Sequence, residues 1–310
     1  MNKQEEAVAQ LMVGVSGVRG VYGDGLSDEI VERFAYSFGK LVAGQRIVIG
    51  RDSRVSGEKL LAVILQGLHK AGKDTIDLGI ASTPTTEMAV VERNADGGII
   101  ITASHNPGEW NGLKFLGADG VFIEPETGKQ LVELYESTGD ITDLPLTGSA
   151  TTFNGADRHH VESVLALDMI DVNLISSKKF TVALDPVNGA GGPICTMLLE
   201  KLGCTVHGIN METNGRFARV AEPLPENLGG LSGLVNAQNA DIGFAVDPDV
   251  DRLSLVDETG KALGEERTLA LAAEYLMADN AKTAACNLST SRMIDDVAAK
   301  YGGNVFRSPV

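Results

Sequence analysis

The chain has 310 residues, 43% of them apolar and 22% charged, which is material for two or three packed domains and too apolar for a disordered chain. Its formal charge of −16 repels nucleic acid and anionic membrane as a whole, and aromatics at 5% offer no stacking surface for single strands, so a phosphorylated substrate would need a locally basic site. No apolar run reaches the roughly 18 residues of a membrane span, the start does not read as a signal peptide, and Cys195, Cys204 and Cys286 lack CxxC spacing, so reduced, buried thiols in a cytoplasmic protein are expected.

In chain order, residues 1–12 read as a short amphipathic helix or a frayed start. Gly14, Gly17, Gly20 and Gly23 surround Arg19, which reads as a tight loop whose arginine is either solvated or a fixed fork near a ligand. Ser27 caps a helix with Ile30, Phe34, Phe38 and Leu41 on one face. Strand 46–50, the charged turn Arg51–Arg54, a helix over 56–71, strand 75–79 and a helix from Thr83 to about Asn94 follow. The run Gly98–Ile101 reads as a strand buried on both faces. Together these elements predict a parallel α/β unit with right-handed crossovers.

Beyond it lie strand 112–116, a helix over 126–137 and a Thr/Gly/Ser-rich linker over 139–156. A helix over 157–172 then opens with His159 and His160; adjacent helical residues diverge, so exposed surface histidines are expected rather than metal ligands. Strand 179–185 enters the Gly-rich turn Asp185–Gly192, which lacks the spacing of a Walker loop or dinucleotide fingerprint and reads as a tight βα turn. A helix over 194–202, strand 204–209, a proline-pinned connection over 222–228, a helix over 231–239 and strands 241–246 and 253–257 complete a second unit. A third begins with a helix over 265–278, strand 283–287, a helix over 291–301 and a strand near Val305.

Two stretches carry chemistry. Pro107 stops the strand that ends at Ile101, leaving Ser104 on a tight loop at a strand's carboxyl end, where open α/β sheets place ligands. His105, Asn106 and the later Lys114 stand near it. A serine is a weak nucleophile until a base, cation or metal activates it, and the plain alternative is a polar turn with a satisfied hydroxyl. The second stretch is Asp247-Pro248-Asp249-Val250-Asp251-Arg252. In extended backbone the aspartates at i, i+2 and i+4 project to one side, and three carboxylates so close call for a cation, with hard oxygen ligands suiting Mg²⁺. The plain alternative is an acidic turn.

Thr102–Pro107 resembles the phosphoserine loop of the α-D-phosphohexomutases, and Asp247–Arg252 is similar to the metal loop of that family. Ser16-Gly17-Val18-Arg19-Gly20 resembles the family's opening segment, and the Arg51–Arg54 turn resembles a loop that supports the catalytic arginine and serine. The resemblance implies tandem three-layer α/β/α units with mixed, mostly parallel sheets: residues 1–150 as domain I with the phosphoserine loop, 151–257 as domain II with the metal loop, and 258–310 as the first part of an incomplete domain III, the sugar loop and a fourth domain having no counterpart. It implies phosphoryl exchange between positions 1 and 6 of a hexose phosphate through phosphorylated Ser104 and a bisphosphate intermediate, with one Mg²⁺ on Ser104, Asp247, Asp249 and Asp251. Arg252 would grip the transferring group, Lys114 and Arg19 would handle the sugar hydroxyl proton, Lys114 being the better base, and His105 would assist. A hexose bisphosphate activator is implied for the full-length enzyme, and a piece ending inside an α/β unit is expected to lack full turnover. The substrate reading is phosphoglucosamine mutase or the mixed phosphomannomutase/phosphoglucomutase group; a sugar-phosphate-binding or regulatory paralogue and a metal-dependent phosphatase are the alternatives. No partner beyond the hexose phosphate, neither nucleic acid nor membrane, is expected.

Overall fold

The computed structural model describes residues 11–14 and 17–309; the start expected over residues 1–12 lies outside them up to residue 10, as does Ser16. The first sheet has eight strands. Its path runs β1 (Met12–Gly14), β2 (Gly17–Tyr22), β7 (Trp110–Gly117), β6 (Gly97–Ile101), β4 (Arg46–Arg51), β5 (Asp74–Ile80), β8 (Ala150–Thr152), with β3 (Gly25–Leu26) beside β2. β4, β5, β6 and β8 are mutually parallel, whereas β7 runs antiparallel to both β6 and β2.

Alternation along the strands sorts side chains into two cores. Ile47, Ile49, Ile99, Ile101, Leu113 and Phe115 face one side, and Val48, Ile100 and Leu116 the other. α1 (Asp28–Leu41) and α2 (Gly57–Lys70) cover the first face with α4 (Pro125–Ser137), and α3 (Thr83–Glu92) covers the second. Ser27 caps α1 by accepting from Ile30 N–H. Phe34 and Phe38, each 1% exposed, pack on Phe115; truncating either to alanine should cost about 3–5 kcal/mol.

Gly14–Gly23, expected as a loop, is largely strand β2. A Cβ on Gly17 would meet the Leu113 carbonyl, and one on Gly112 the Val18 carbonyl. These glycines let β2 and β7 approach closely; they do not turn the chain. The segment expected as a linker contributes β8 to the sheet edge. The helix expected over 157–172 is two, α5 (Ala156–Leu165) and α6 (Val172–Lys178), because the Asp171 carboxylate caps a new start at Leu174 N–H. Nor are its histidines free at the surface: His159 Nδ1 lies 2.6 Å from Glu92, and His160 Nδ1 lies 2.8 Å from Thr85 Oγ1. Both are half-buried and dock α5 against α3.

The second sheet has the order β10 (Thr205–Gly208), β9 (Thr181–Asp185), β11 (Ile242–Val246), β12 (Leu253–Asp257), parallel except for β12. α8 (Gly229–Gln238) packs on one face and α7 (Gly191–Lys201) on the other; the proline-pinned connection holds one 3-10 turn, Pro225–Asn227. α9 (Glu265–Asp279) and α10 (Met293–Lys300) accompany a parallel pair, β13 (Thr283–Asn287) and β14 (Asn304–Ser308). The three cysteines are free and only half-buried, less enclosed than expected. Among the described residues no helix is long and apolar enough to cross a membrane.

Candidate active site

Ser104 follows β6 by three residues and sits at φ +52°, the left-handed region, which costs a non-glycine residue about 1–2 kcal/mol. Neighbours hold it there. Ser104 N–H donates to Thr102 Oγ1 (2.9 Å), and that hydroxyl donates to Asp52 Oδ2 (2.7 Å). Arg54, 1% exposed, donates to Asp52 through Nε (2.9 Å) and to the carbonyls of Ser104 (2.6 Å), Asn106 (2.8 Å), Trp110 (2.9 Å) and Pro107. The result points Ser104 Oγ at Asp247 Oδ2, 3.3 Å away, with His105 Nδ1 at 3.2 Å.

Asp247 stands at the carboxyl end of β11. The following residues do not extend: Val250 is left-handed, at φ +64°, and a tight turn gathers the aspartates. The convergence expected from extended projection is therefore real but has a different cause. One carboxylate oxygen from each of Asp247, Asp249 and Asp251 lies within 4.8 Å of the others, and Asp247 and Asp249 are fully buried. The first unit grips this loop. Thr83, at the start of α3, donates its N–H to the Asp249 carbonyl (2.8 Å) and its hydroxyl to Asp249 Oδ2 (2.8 Å).

Lys114 Nζ bridges Asp249 (2.8 Å) and Asp251 (2.9 Å). Burial works to lower its pKa, but the two carboxylates outweigh burial and raise it. With the two carboxylates as its partners, Lys114 is thus held as an ammonium donor. Burial also opposes ionisation of Asp249, yet the Lys114 charge and hydrogen bonds keep its carboxyl below the ordinary range. Asp247 has no such partner; burial, then the charges of Asp249 and Asp251, push it well up. Asp249 Oδ1 is buried with no hydrogen-bond partner. An orphaned buried carboxylate oxygen, a strained neighbour and an all-oxygen donor set fit a hard divalent cation.

Arg19 lies on β2 opposite Gly112 and donates to Asn106 Oδ1 (3.2 Å). A cavity of about 210 Å³ opens here, lined by Gly17, Arg19, Thr102, Ser104 and Lys114 among others. Arg252 N–H donates to Asp247 Oδ1 (3.1 Å) while its guanidinium pairs with Glu222 (2.8 Å). Burial, then the Arg252 charge, lowers the His105 pKa and so favours the neutral ring. Ser104, His105, Lys114 and the three aspartates thus meet in one cleft with the two arginines on its rim, so three cationic side chains gather around the carboxylates of a strongly acidic chain. Sequence reasoning undervalued Arg54, whose signal was a charged Asp-x-Arg turn just after the buried run Ile47–Gly50. It missed Thr83, which looked like an ordinary Thr-Pro helix start.

The family model described as phosphoglucomutase/phosphomannomutase, alpha/beta/alpha domain I matches residues 10–141, and that for domain II matches residues 158–260. A Methanopyrus kandleri protein named "Probable phosphoglucosamine mutase" is 33% identical over 299 residues, covering 96% of this chain and 65% of its own length. The phosphoglucomutase/phosphomannomutase of Thermococcus kodakarensis is 35% identical over 313 residues, with coverages of 96% and 67%. A solved phosphoglucomutase/phosphomannomutase family protein from Burkholderia thailandensis superposes with a TM-score of 0.81 at 26% identity, over 96% of this chain and 67% of that one. The chain therefore spans about two thirds of the length of the relatives it matches.

Proposed function

The chain belongs to the α-D-phosphohexomutases, and from that premise we propose that it exchanges phosphate between Ser104 and a hexose phosphate. The observation that carries this reading is the approach of Ser104 Oγ, across the cleft between two sheets, to within 3.3 Å of the converging aspartates. In the forward step a sugar hydroxyl bonds to the phosphorus of phosphorylated Ser104, the P–Oγ bond breaks, and the hydroxyl proton ends on Ser104 Oγ. His105 Nδ1 is placed to pass that proton, since it lies 3.2 Å from the oxygen and burial favours its neutral form. The sugar bisphosphate turns end for end, and Ser104 takes back the other phosphate by the reverse step. Arg252, Arg19 and the Lys114 ammonium offer donors to phosphoryl oxygens as charge spreads over them. Asp247, Asp249, Asp251 and the Ser104 oxygen would hold Mg²⁺, whose positive charge offsets that of the transferring group.

The relatives' names point to glucosamine, glucose or mannose phosphates as the substrate class. The test is to incubate the purified chain with Mg²⁺ and glucose 1,6-bisphosphate, then map phosphate by intact mass and peptide analysis. One phosphate on Ser104, absent in Ser104→Ala and discharged by a hexose phosphate, is expected. Phosphate on another residue with none on Ser104 would sink the reading. Following free phosphate and sugar isomers in the same reactions separates a mutase from a phosphatase.

A further inference from the structure

All five N–H groups of Arg54 are used: Nε on Asp52, and the two amino nitrogens on four consecutive-loop carbonyls, those of Ser104, Asn106, Pro107 and Trp110. A lysine at this position could not reproduce that planar fork. The face of the guanidinium is covered from the other α/β unit, where the Phe217 ring lies 4.9 Å from Arg54 Cζ. Two more contacts fix the loop carrying Phe217. Ser53 Oγ donates to the Asn188 carbonyl (2.7 Å), which also receives Gly215 N–H (3.3 Å). Gly215 is buried at φ +68°, and a Cβ there would come within 2.8 Å of Arg54 Cα, so the loop lies directly on the Ser53–Arg54 backbone.

Arg54 supports Ser104 as the resemblance implies, and we propose that Phe217 completes its grip from the second unit, so the serine loop keeps its left-handed form only while the two units are seated together. Arg54 touches none of the reacting atoms; it acts through the carbonyls of residues 104–110. Engagement of the unit that carries the acidic loop would thereby prepare the nucleophile. The inference rests on the phosphoserine reading for its kinetic consequence, but its structural consequence can be read without any phosphate.

The experiment uses the 310-residue chain and three variants: Phe217→Leu, Phe217→Tyr and Arg54→Lys. Hydrogen exchange of amides 103–111 and the emission of Trp110, the only tryptophan, report the loop; phosphorylation by saturating glucose 1,6-bisphosphate reports the nucleophile. In Phe217→Leu, exchange in the loop should quicken at least about tenfold while α1 and α2 are unchanged. Its maximal phosphorylation rate should fall by roughly ten- to a hundredfold with half-saturation held within about twofold, because misplacement affects the transfer and not the binding of the bisphosphate. Phe217→Tyr, which keeps the ring, should retain both values. Arg54→Lys should exceed Phe217→Leu in both effects; if it fails to fold, the Phe217 pair still decides. Loop exchange and rate in Phe217→Leu equal to the parent's would overturn the proposal. A parent that takes no phosphate on Ser104 would defeat the functional reading, and the exchange comparison would still stand or fall alone.

Discussion

The serine loop and the acidic loop occupy equivalent places, each at the carboxyl ends of parallel strands, and each is pinned by an Asp–Arg pair. In the first unit Asp52 and Arg54 sit two residues apart with side chains wholly shielded from solvent. In the second, Arg219 reaches Asp185 from 34 residues away (2.8 Å), also donates to the Val246 carbonyl just before Asp247, and remains 9% exposed. The larger difference lies in who supplies the remaining contacts. The serine loop takes its backbone hydrogen bonds from its own unit, through Arg54 and Thr102, and from the other unit it receives the Phe217 ring stacked on Arg54. The acidic loop depends on Thr83 and Lys114, both from the other one. A nucleophile that must keep a strained backbone is over-determined locally, whereas a cation site can be completed where two units meet.

The largest effect should separate the two pairs. Arg54→Met leaves Asp52 buried and uncompensated, where burial already raises its pKa, and should cost about 3–5 kcal/mol. Arg219→Met should cost roughly half as much, because Arg219 is the slightly more exposed arginine and Asp185 keeps hydrogen bonds from Val187 N–H and Asn210 Nδ2. Urea unfolding followed by Trp110 emission reads the first, and exchange of amides in β9 and β11 reads the second. Equal costs would erase the asymmetry.

Next in size, Asp249→Ala should lower Mg²⁺ affinity about a hundredfold or more, equivalent to roughly 2.7 kcal/mol, while leaving both sheets folded. Calorimetry decides, and undiminished affinity would remove Asp249 from the site.

Much of this was legible beforehand for a physical reason: strands buried on both faces, such as Gly97–Ile101, and capped amphipathic helices such as Asp28–Leu41 announce themselves by local pattern. The Ser104 and Asp247–Asp251 loops were legible because their residue types are rare in company and resemble a known family. What escaped was non-local. That Gly17 serves close strand approach depends on Leu113, far along the chain, and the partners of His160 lie on another helix. Lys114 was expected to act as a base because the family resemblance put it at the sugar hydroxyl and arginine is the poorer base; the two carboxylates it bridges come from more than 130 residues away. The turn Arg51–Arg54 was given only a supporting role by resemblance, and how Arg54 supports the serine was hidden for the same reason, since four of its acceptors lie 50 to 56 residues downstream.

Thr83→Val gives a smaller and sharper test of borrowed contacts. It deletes one hydrogen bond to Asp249 Oδ2 and keeps the side chain's shape. Mg²⁺ affinity should fall about tenfold, as for other groups that orient metal ligands, with thermal stability of the cation-free chain nearly unchanged. An unchanged affinity would mean that the acidic loop holds its own geometry.

The smallest effect is a pH dependence, and its sign follows from Asp247. Its folded-state pKa is raised, by burial first and by Asp249 and Asp251 next. For a carboxyl raised in this way, the favourable contribution to the cation-free fold is complete below the unfolded pKa of about 3.9 and is lost as pH rises through the raised value. Mg²⁺ works in the opposite sense, because it binds the ionised carboxylate and must displace the proton. The apparent affinity should therefore rise with pH up to the raised pKa, by less than about tenfold per pH unit since one proton is displaced, and level off above it. The melting temperature without cation should drift down over the same interval while the value with saturating Mg²⁺ does not, so the gap between the two curves widens. Asp247→Asn removes the titration: its cation-free chain should be more stable than the parent at neutral pH, by about 0.5–2 kcal/mol, as when a strained functional group is relieved. Serine-loop exchange should stay flat across this interval in both chains, since the loop backbone is held by Arg54 through carbonyl acceptors and not by the acidic loop. A loop that loosens in step with Asp247 would show that the two sites are one electrostatic unit and would end the contrast between a nucleophile hydrogen-bonded within its own unit and a cation site whose ligands are gripped from the other.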